Sequence, residues 1–154
     1  MLDYQTIKRL GGLKVKTMSR EIEFRAFIEY KNLSCGYPDY NLMMNVHSID
    51  FVKGTLKAGN LNETYKIKDV KLLEYTGKKD KNRVKIFEHD LIQLDGTRYI
   101  YEIVWDNESS SYKMQNKNDG FEWDVLELRT FKTPYITVLG NIYKNKELLG
   151  ERNE

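Results

Sequence analysis

The sequence predicts a mainly β fold: a small bent-sheet or barrel-like (SH3-like) carboxy-terminal half, an amino-terminal β extension and little helix. Three observations predict it. The apolar set leans on Ile, Val, Leu, Tyr and Phe, with 11 Tyr and 6 Phe, while Ala26 and Ala58 are the only alanines. That composition suits pleated strands better than helices. Apolar residues also alternate over short stretches, and turn-forming clusters such as Asp95-Gly96 and Asn118-Asp119-Gly120 separate those stretches.

The first clear element runs from Glu21 to Tyr30. Ile22, Phe24, Ala26, Ile28 and Tyr30 fall on one face of a strand, Glu21, Glu23, Arg25 and Glu29 on the other, with Phe27 as the exception. Asn32, Ser34, Gly36, Pro38, Asp39 and Asn41 mark residues 31–41 as a loop. Val46 to Lys57 carries a weaker pattern, with short strands near Asp50–Val52 and Thr55–Lys57 around Gly54. Gly59-Asn60-Leu61-Asn62 turns the chain. Tyr65 to Leu73 reads equally as an extended segment or as one helical turn followed by a strand.

The second half is plainer. Leu73 onward is a strand-like segment leading into a Thr76-Gly77 turn, a basic loop and a second apolar segment behind Glu88 and Asp90. Asp90 to Leu94 forms a strand, and Asp95-Gly96 suits a type I′ hairpin. The return strand, Arg98 to Asp106, puts Tyr99, Tyr101, Ile103 and Trp105 on one face. Tyr112 to Asn116 is the next strand, and Phe121-Glu122-Trp123 returns from the turn at Asn118-Asp119-Gly120. Val125, Leu126 and Leu128 among charges, with Asp124 as a cap, predict one short helix over Asp124–Phe131. After Pro134, Tyr135 to Leu139 reads as a buried strand ended by Gly140. Several short strands with tight turns predict a small barrel or bent sheet, filled by Ile86, Leu91, Tyr101, Ile103, Trp105, Met114 and Val138.

Composition limits the function classes. The formal net charge is only +2, so overall basicity gives no argument for nucleic acid. The charge is local: residues 66–85 carry eight Lys or Arg against Asp69, Glu74 and Asp80, while residues 102–129 are net acidic. Cys35 is the single cysteine, which excludes an intrachain disulfide and suits a reducing cytoplasm. No apolar run approaches the ~20 residues of a membrane span, so no membrane partner is expected. Residues 1–17 show no strand or helix period and contain Gly11-Gly12. They read as a disordered arm or as a mis-assigned start upstream of Met18.

Three blocks carry a resemblance to a known family. They are Ser19-Arg20-Glu21-Ile22-Glu23-Phe24-Arg25-Ala26-Phe27, the run from Leu73 to Ile92, and Val138-Leu139-Gly140-Asn141-Ile142-Tyr143 with the following residues to Leu149. In this order they resemble the opening, central and closing phrases of YopX-like phage and prophage proteins. Two departures stand out: Arg83 and His89 occupy positions where that family usually has Gly, and a positive φ at Arg83 would be costly, so the turn is expected to be rebuilt. The resemblance implies a single β domain at 19–149, a flexible tail at 150–154, a phage origin and a bacterial host cytoplasm. It implies no activity.

No residue set converges on catalysis. His47, His89 and Cys35 lack metal-ligand spacing, and no phosphate-binding glycine loop or nucleophile elbow is present. No cofactor is expected. Glu88 and Asp90, at i and i+2 on a strand, share a face and read as solvated. Two candidate surfaces remain. Lys78, Lys79, Lys81, Arg83 and Lys85 form a basic loop that reads as a weak nucleic-acid contact or as a solvated turn. Ile142, Tyr143, Leu148 and Leu149 form an apolar tail that reads as folding back onto the core or as docking a partner. The expected function is a non-enzymatic accessory protein that binds an unknown phage or host protein or a second copy of itself. The alternative is a weak, sequence-nonspecific nucleic-acid binder using residues 78–85.

Overall fold

The computed structural model describes residues 21–30, 40–117 and 125–149. The arm or false start expected at 1–17, Cys35, the turn and return at 118–123 and the tail at 150–154 lie outside the described residues. The strands are β1 (Phe24–Tyr30), β2 (Tyr40–Asp50), β3 (Thr55–Ala58), β4 (Glu63–Lys66), β5 (Lys71–Lys79), β6 (Lys85–Phe87), β7 (Asp90–Leu94), β8 (Ile100–Asp106), β9 (Ser111–Asn116), β10 (Val125–Glu127) and β11 (Ile136–Asn141). They form a 6-stranded sheet in the order β4-β3-β2-β1-β5-β6 and a 5-stranded sheet in the order β10-β9-β8-β7-β11. Every pairing is antiparallel. The chain is mainly β as expected; among the described residues neither sheet closes into a barrel, so of the bent-sheet and barrel-like alternatives it is open sheets that form.

β1 is an inner strand between β2 and β5, and Phe27 breaks its alternation because Ala26, Phe27 and Ile28 are buried in succession, on both faces. An inner strand covered on both faces has no solvent side. Ala26 packs with Leu56, Ala58 and Leu72 on one face, and Phe27 is covered by Tyr143 on the other. Ile22 precedes the strand and is exposed.

β2 differs from expectation. It is one strand of 11 residues rather than short pieces near Asp50–Val52 and Thr55–Lys57, and it already begins inside the expected loop at residues 40–41. Its Asn and Met residues weaken the alternation, but β1 and β3 supply backbone partners along its length. Tyr65 to Leu73 contains both alternatives: the end of β4, a 3-10 turn at Ile67–Asp69 and the start of β5.

Thr76-Gly77 is a bulge inside β5, not a turn. The register shifts between Tyr75 and Lys79, Gly77 has φ +84, and the Thr76 hydroxyl donates to the Ile86 carbonyl at 2.8 Å. The reversal comes later, at residues 80–84. Arg83 keeps the left-handed conformation there, with φ +67, so the turn is not rebuilt around the missing glycine. His89 does the same with φ +62 in the two-residue connection Glu88-His89, where the chain passes from one sheet to the other.

Asp95-Gly96 does turn the chain, but only Gly96 has a positive φ, +81. With Thr97 N–H donating to the Leu94 carbonyl at 3.0 Å, this fits a type II rather than a type I′ turn. β8 accordingly starts at Ile100. The short helix expected over 124–131 is instead β10 followed by a 3-10 turn at Leu128–Thr130. Pairing with Lys113–Gln115 of β9 claims the backbone groups a helix would need, and an isolated helix that short is marginal. β11 runs through Gly140 to Asn141 with a bulge after Val138. Gly140 makes room for the Asn145 side chain: a Cβ there would push against it and disturb the bond its Oδ1 accepts from the Asn141 N–H.

The core of the second sheet is Ile86, Ile92, Leu94, Tyr101, Ile103, Met114, Leu128 and Ile136. Of the expected interior set, Ile86, Leu91, Tyr101, Ile103 and Met114 are buried, and Val138 is half-buried. Trp105 is the exception at 40% exposed. It follows Ile103 on the same face but lies beyond the core cluster. There it meets Tyr112 edge-on at 5.0 Å and donates to the Asn107 side chain.

Candidate functional site

The basic loop is built around an acid. Asp80 is 1% exposed. Its Oδ1 accepts from the Asn82 and Val84 N–H groups at 2.8 and 2.9 Å, and its Oδ2 accepts from the Val138 N–H at 3.1 Å. These bonds hold the reversal and tie it to β11. The surrounding cations are largely engaged. Lys78 Nζ donates to the Leu128 and Phe131 carbonyls at 2.8 and 2.7 Å, and burial lowers its pKa. Lys81 pairs with Asp95 at 2.8 Å. Lys85 pairs with Glu21 at 2.7 Å and with Glu23, and the hydrogen bonds it donates to these carboxylates raise its pKa. Lys79 and Arg83 remain exposed, with no ion pair among the described residues. Three of the five cations are therefore already committed to partners within the protein.

The apolar tail is likewise divided. Tyr143 stacks on Phe27 with ring centroids 4.6 Å apart and meets His89 edge-on at 5.6 Å. Ile142 N–H donates to the His89 carbonyl at 3.1 Å. Leu148 and Leu149 are half-buried in a 3-10 turn. Tyr143 thus folds back and closes the gap between the sheets.

That gap holds a polar cluster that sequence reasoning missed. Glu88 and Asp90 do not share a solvated face, because His89 between them is left-handed and breaks the alternation. Asp90 is 1% exposed. Its Oδ2 accepts from the Phe87 N–H at 2.8 Å; its Oδ1 accepts from the Asn141 amide at 3.2 Å and faces Arg25 at 4.0 Å. Burial raises the Asp90 pKa to about 6, against the lowering by those same donors. Arg25 also lies over the Phe87 ring at 4.0 Å, a favourable cation–π geometry.

Beside it, Glu102 is 6% exposed. Its oxygens lie 2.6 Å from His89 Nδ1 and 2.6 Å from Lys117 Nζ. Burial alone would raise the Glu102 pKa, but the hydrogen bonds from His89 and Lys117 outweigh it and hold the group below its ordinary value. Every oxygen of Asp90 and Glu102 is committed to a partner within the protein. The arrangement clamps two sheets together. Among the described residues no three His, Cys, Asp or Glu side chains gather as a metal site, and no helix is long and apolar enough to cross a membrane.

Two adjacent, strongly exposed apolar side chains lie elsewhere; among the described residues only Leu61, at 82%, is comparably exposed. Phe51 and Val52, at the tip of the β2–β3 hairpin, are 78% and 98% exposed. Lys53 N–H donates to Asp50 Oδ1 at 3.0 Å and Gly54 takes φ +64, which fix that tip. Sequence alternation could not single out this pair, because it placed Phe51 and Val52 in or beside a strand.

The model of the family described as YopX protein matches residues 23–150. The crystal structure of protein EF1440 from Enterococcus faecalis is similar at 19% identity, covering 85% of this chain and 99% of that chain with a TM-score of 0.46. No curated protein matches the chain.

Proposed function

This chain belongs to the YopX family, and we propose that it is a non-enzymatic phage or prophage accessory protein that binds another protein in the cytoplasm of the bacterial host. The observation that carries this reading is the Phe51–Val52 tip. Two large apolar side chains stand in water on a turn held by Asp50 and Gly54. Burying each against a partner is worth roughly 1.5–3 kcal/mol, and a fixed turn loses little entropy on docking. The partner that fits is a phage or host protein with a small apolar pocket. The internal commitment of Asp90 and Glu102 supports the non-enzymatic part of the reading.

The test is a photo-crosslinking amino acid at the exposed neighbouring position 53, carried by the otherwise wild-type protein and by the doubly substituted one, followed by capture from cells carrying the phage or prophage. Wild type is expected to retain a defined protein that Phe51→Ser with Val52→Ser loses, at an unchanged melting temperature. Equal capture by both proteins removes the tip as the binding element. Sedimentation at rising concentration separates a foreign partner from a second copy of this chain.

Exposed Lys79 and Arg83 support the second reading, weak nucleic-acid contact. Lys79→Glu with Arg83→Glu is then expected to lower affinity for single-stranded DNA and reduce the log–log salt slope by about 1–2. An unchanged slope, or no wild-type binding at low salt, ends that reading.

A further inference from the structure

One face of the six-stranded sheet is only partly covered. Tyr143 lies over Phe27 and packs against the cluster of Leu73, Tyr75 and Phe87. Past Tyr143, an open cleft of about 340 Å³ remains, within the size range of small-ligand sites. Four separate segments build it. Pairing of β1 with β5 sets Lys71 opposite Phe27. Pairing of β1 with β2 sets Asn41 opposite Glu29. The 3-10 turn at Ile67–Asp69 brings Lys68 and Asp69, and the chain after β11 brings Tyr143 and Lys146.

The chemistry of the lining is specific in kind. Tyr143, backed by the buried Phe27 on which it stacks, is the aromatic side of the cleft, and it is half-buried and so half-open. Lys68, Lys71 and Lys146 stand around it, each exposed and none in an ion pair among the described residues. Asn41 supplies both a donor and an acceptor. The carboxylates Glu29 and Asp69 share the cleft, leaving the cations in excess by one. In the basic loop, by contrast, Lys81 and Lys85 are already paired with carboxylates.

We propose that this cleft binds a small aromatic anion of the nucleoside-phosphate class. The flat base lies against Tyr143, with Asn41 at its edge, and the phosphate is met by the three lysines as point charges. A lone phosphate would leave the aromatic side unused, and a nucleoside without phosphate would leave the lysines unpaired. Stacking tolerates any base because every base has a π-face, so the class is set by the phosphate and the ring together.

The test is calorimetric titration of the full chain with nucleoside mono- and diphosphates, the parent nucleosides, and inorganic phosphate and pyrophosphate. One saturable site is expected, with a nucleoside phosphate binding about tenfold or more tighter than either its nucleoside or the inorganic ion. Lys68→Glu with Lys71→Glu is expected to weaken it by about tenfold or more at an unchanged melting temperature. The proposal fails if no nucleoside phosphate saturates, if inorganic phosphate binds as tightly, or if the double variant keeps full affinity. Tyr143 is left intact because it also packs between the sheets.

Discussion

Asp90→Ala is expected to destabilise the protein by about 2–5 kcal/mol, because it strips acceptors from two buried donors at roughly 1–3 kcal/mol each. The donors are the Phe87 N–H and the Asn141 amide. Asn141 cannot turn to compensate, since its Oδ1 already accepts from the Tyr143 N–H at 3.0 Å. Arg25 loses its facing charge as well. The same residue carries a pH dependence with a definite sign. Its pKa is raised from 3.8 to about 6, so between these values the folded state holds a proton that the unfolded state has released. Stability from this group is therefore fully present below about pH 4 and lost as pH rises through about 6. The full shift corresponds to a change on the order of 3 kcal/mol. Glu102, held below its ordinary value, has the opposite sign and loses stability on acidification, so the wild-type profile alone mixes the two. Urea unfolding of wild type and variant at steps from pH 4 to 8 isolates Asp90 in the difference. A flat difference curve, or a loss under about 1 kcal/mol, shows that Asp90 is not the buried clamp described.

The parts of the fold legible in the sequence are those fixed by local pattern. Short apolar stretches between turn signals located β7 and β9, and alternation located β1 and β8. It failed where the partner is remote. Phe27 looks misplaced until Tyr143 covers it, and Trp105 looks interior although the core ends before it. Charged residues on strands read as wet, and Asp90 is satisfied in the interior partly by groups remote in sequence, the Asn141 amide 51 residues on and Arg25. The family phrases did mark both ends of that contact, Glu88-His89-Asp90 in the central block and Asn141 in the closing block. The phrases also held the sign of a left-handed residue, since His89 stands where the family usually has Gly; its consequence, φ +62 moving the acid off the face that strict alternation assigns, shows only in the backbone. The basic loop was visible as charge, but its organiser, Asp80, entered the sequence reading only as a dilution of that charge.

That organiser supports the second large effect. Asp80→Ala is expected to lose about 2–4 kcal/mol, because three N–H groups lose their acceptor and only some regain one from water. Asn82 and Val84 are exposed, so water replaces much of what they lose. Val138 N–H is part-buried and sits across the chain from the turn, so its loss also loosens β11. The turn keeps two backbone bonds, Asp80 N–H to the Val84 carbonyl at 2.8 Å and Arg83 N–H to the Asp80 carbonyl at 3.0 Å. Those bonds require Arg83 at φ +67, a conformation that disfavours a side chain by roughly 1–2 kcal/mol. The carboxylate bonds offset that strain. Arg83→Gly is accordingly expected to be neutral or stabilising by up to ~1 kcal/mol, since relief of strain competes with a more flexible unfolded chain. Chemical denaturation of both variants checks the pair. If Asp80→Ala stays within ~0.5 kcal/mol of wild type, the range of an ordinary surface change, the loop is held by its backbone alone and its acid is incidental.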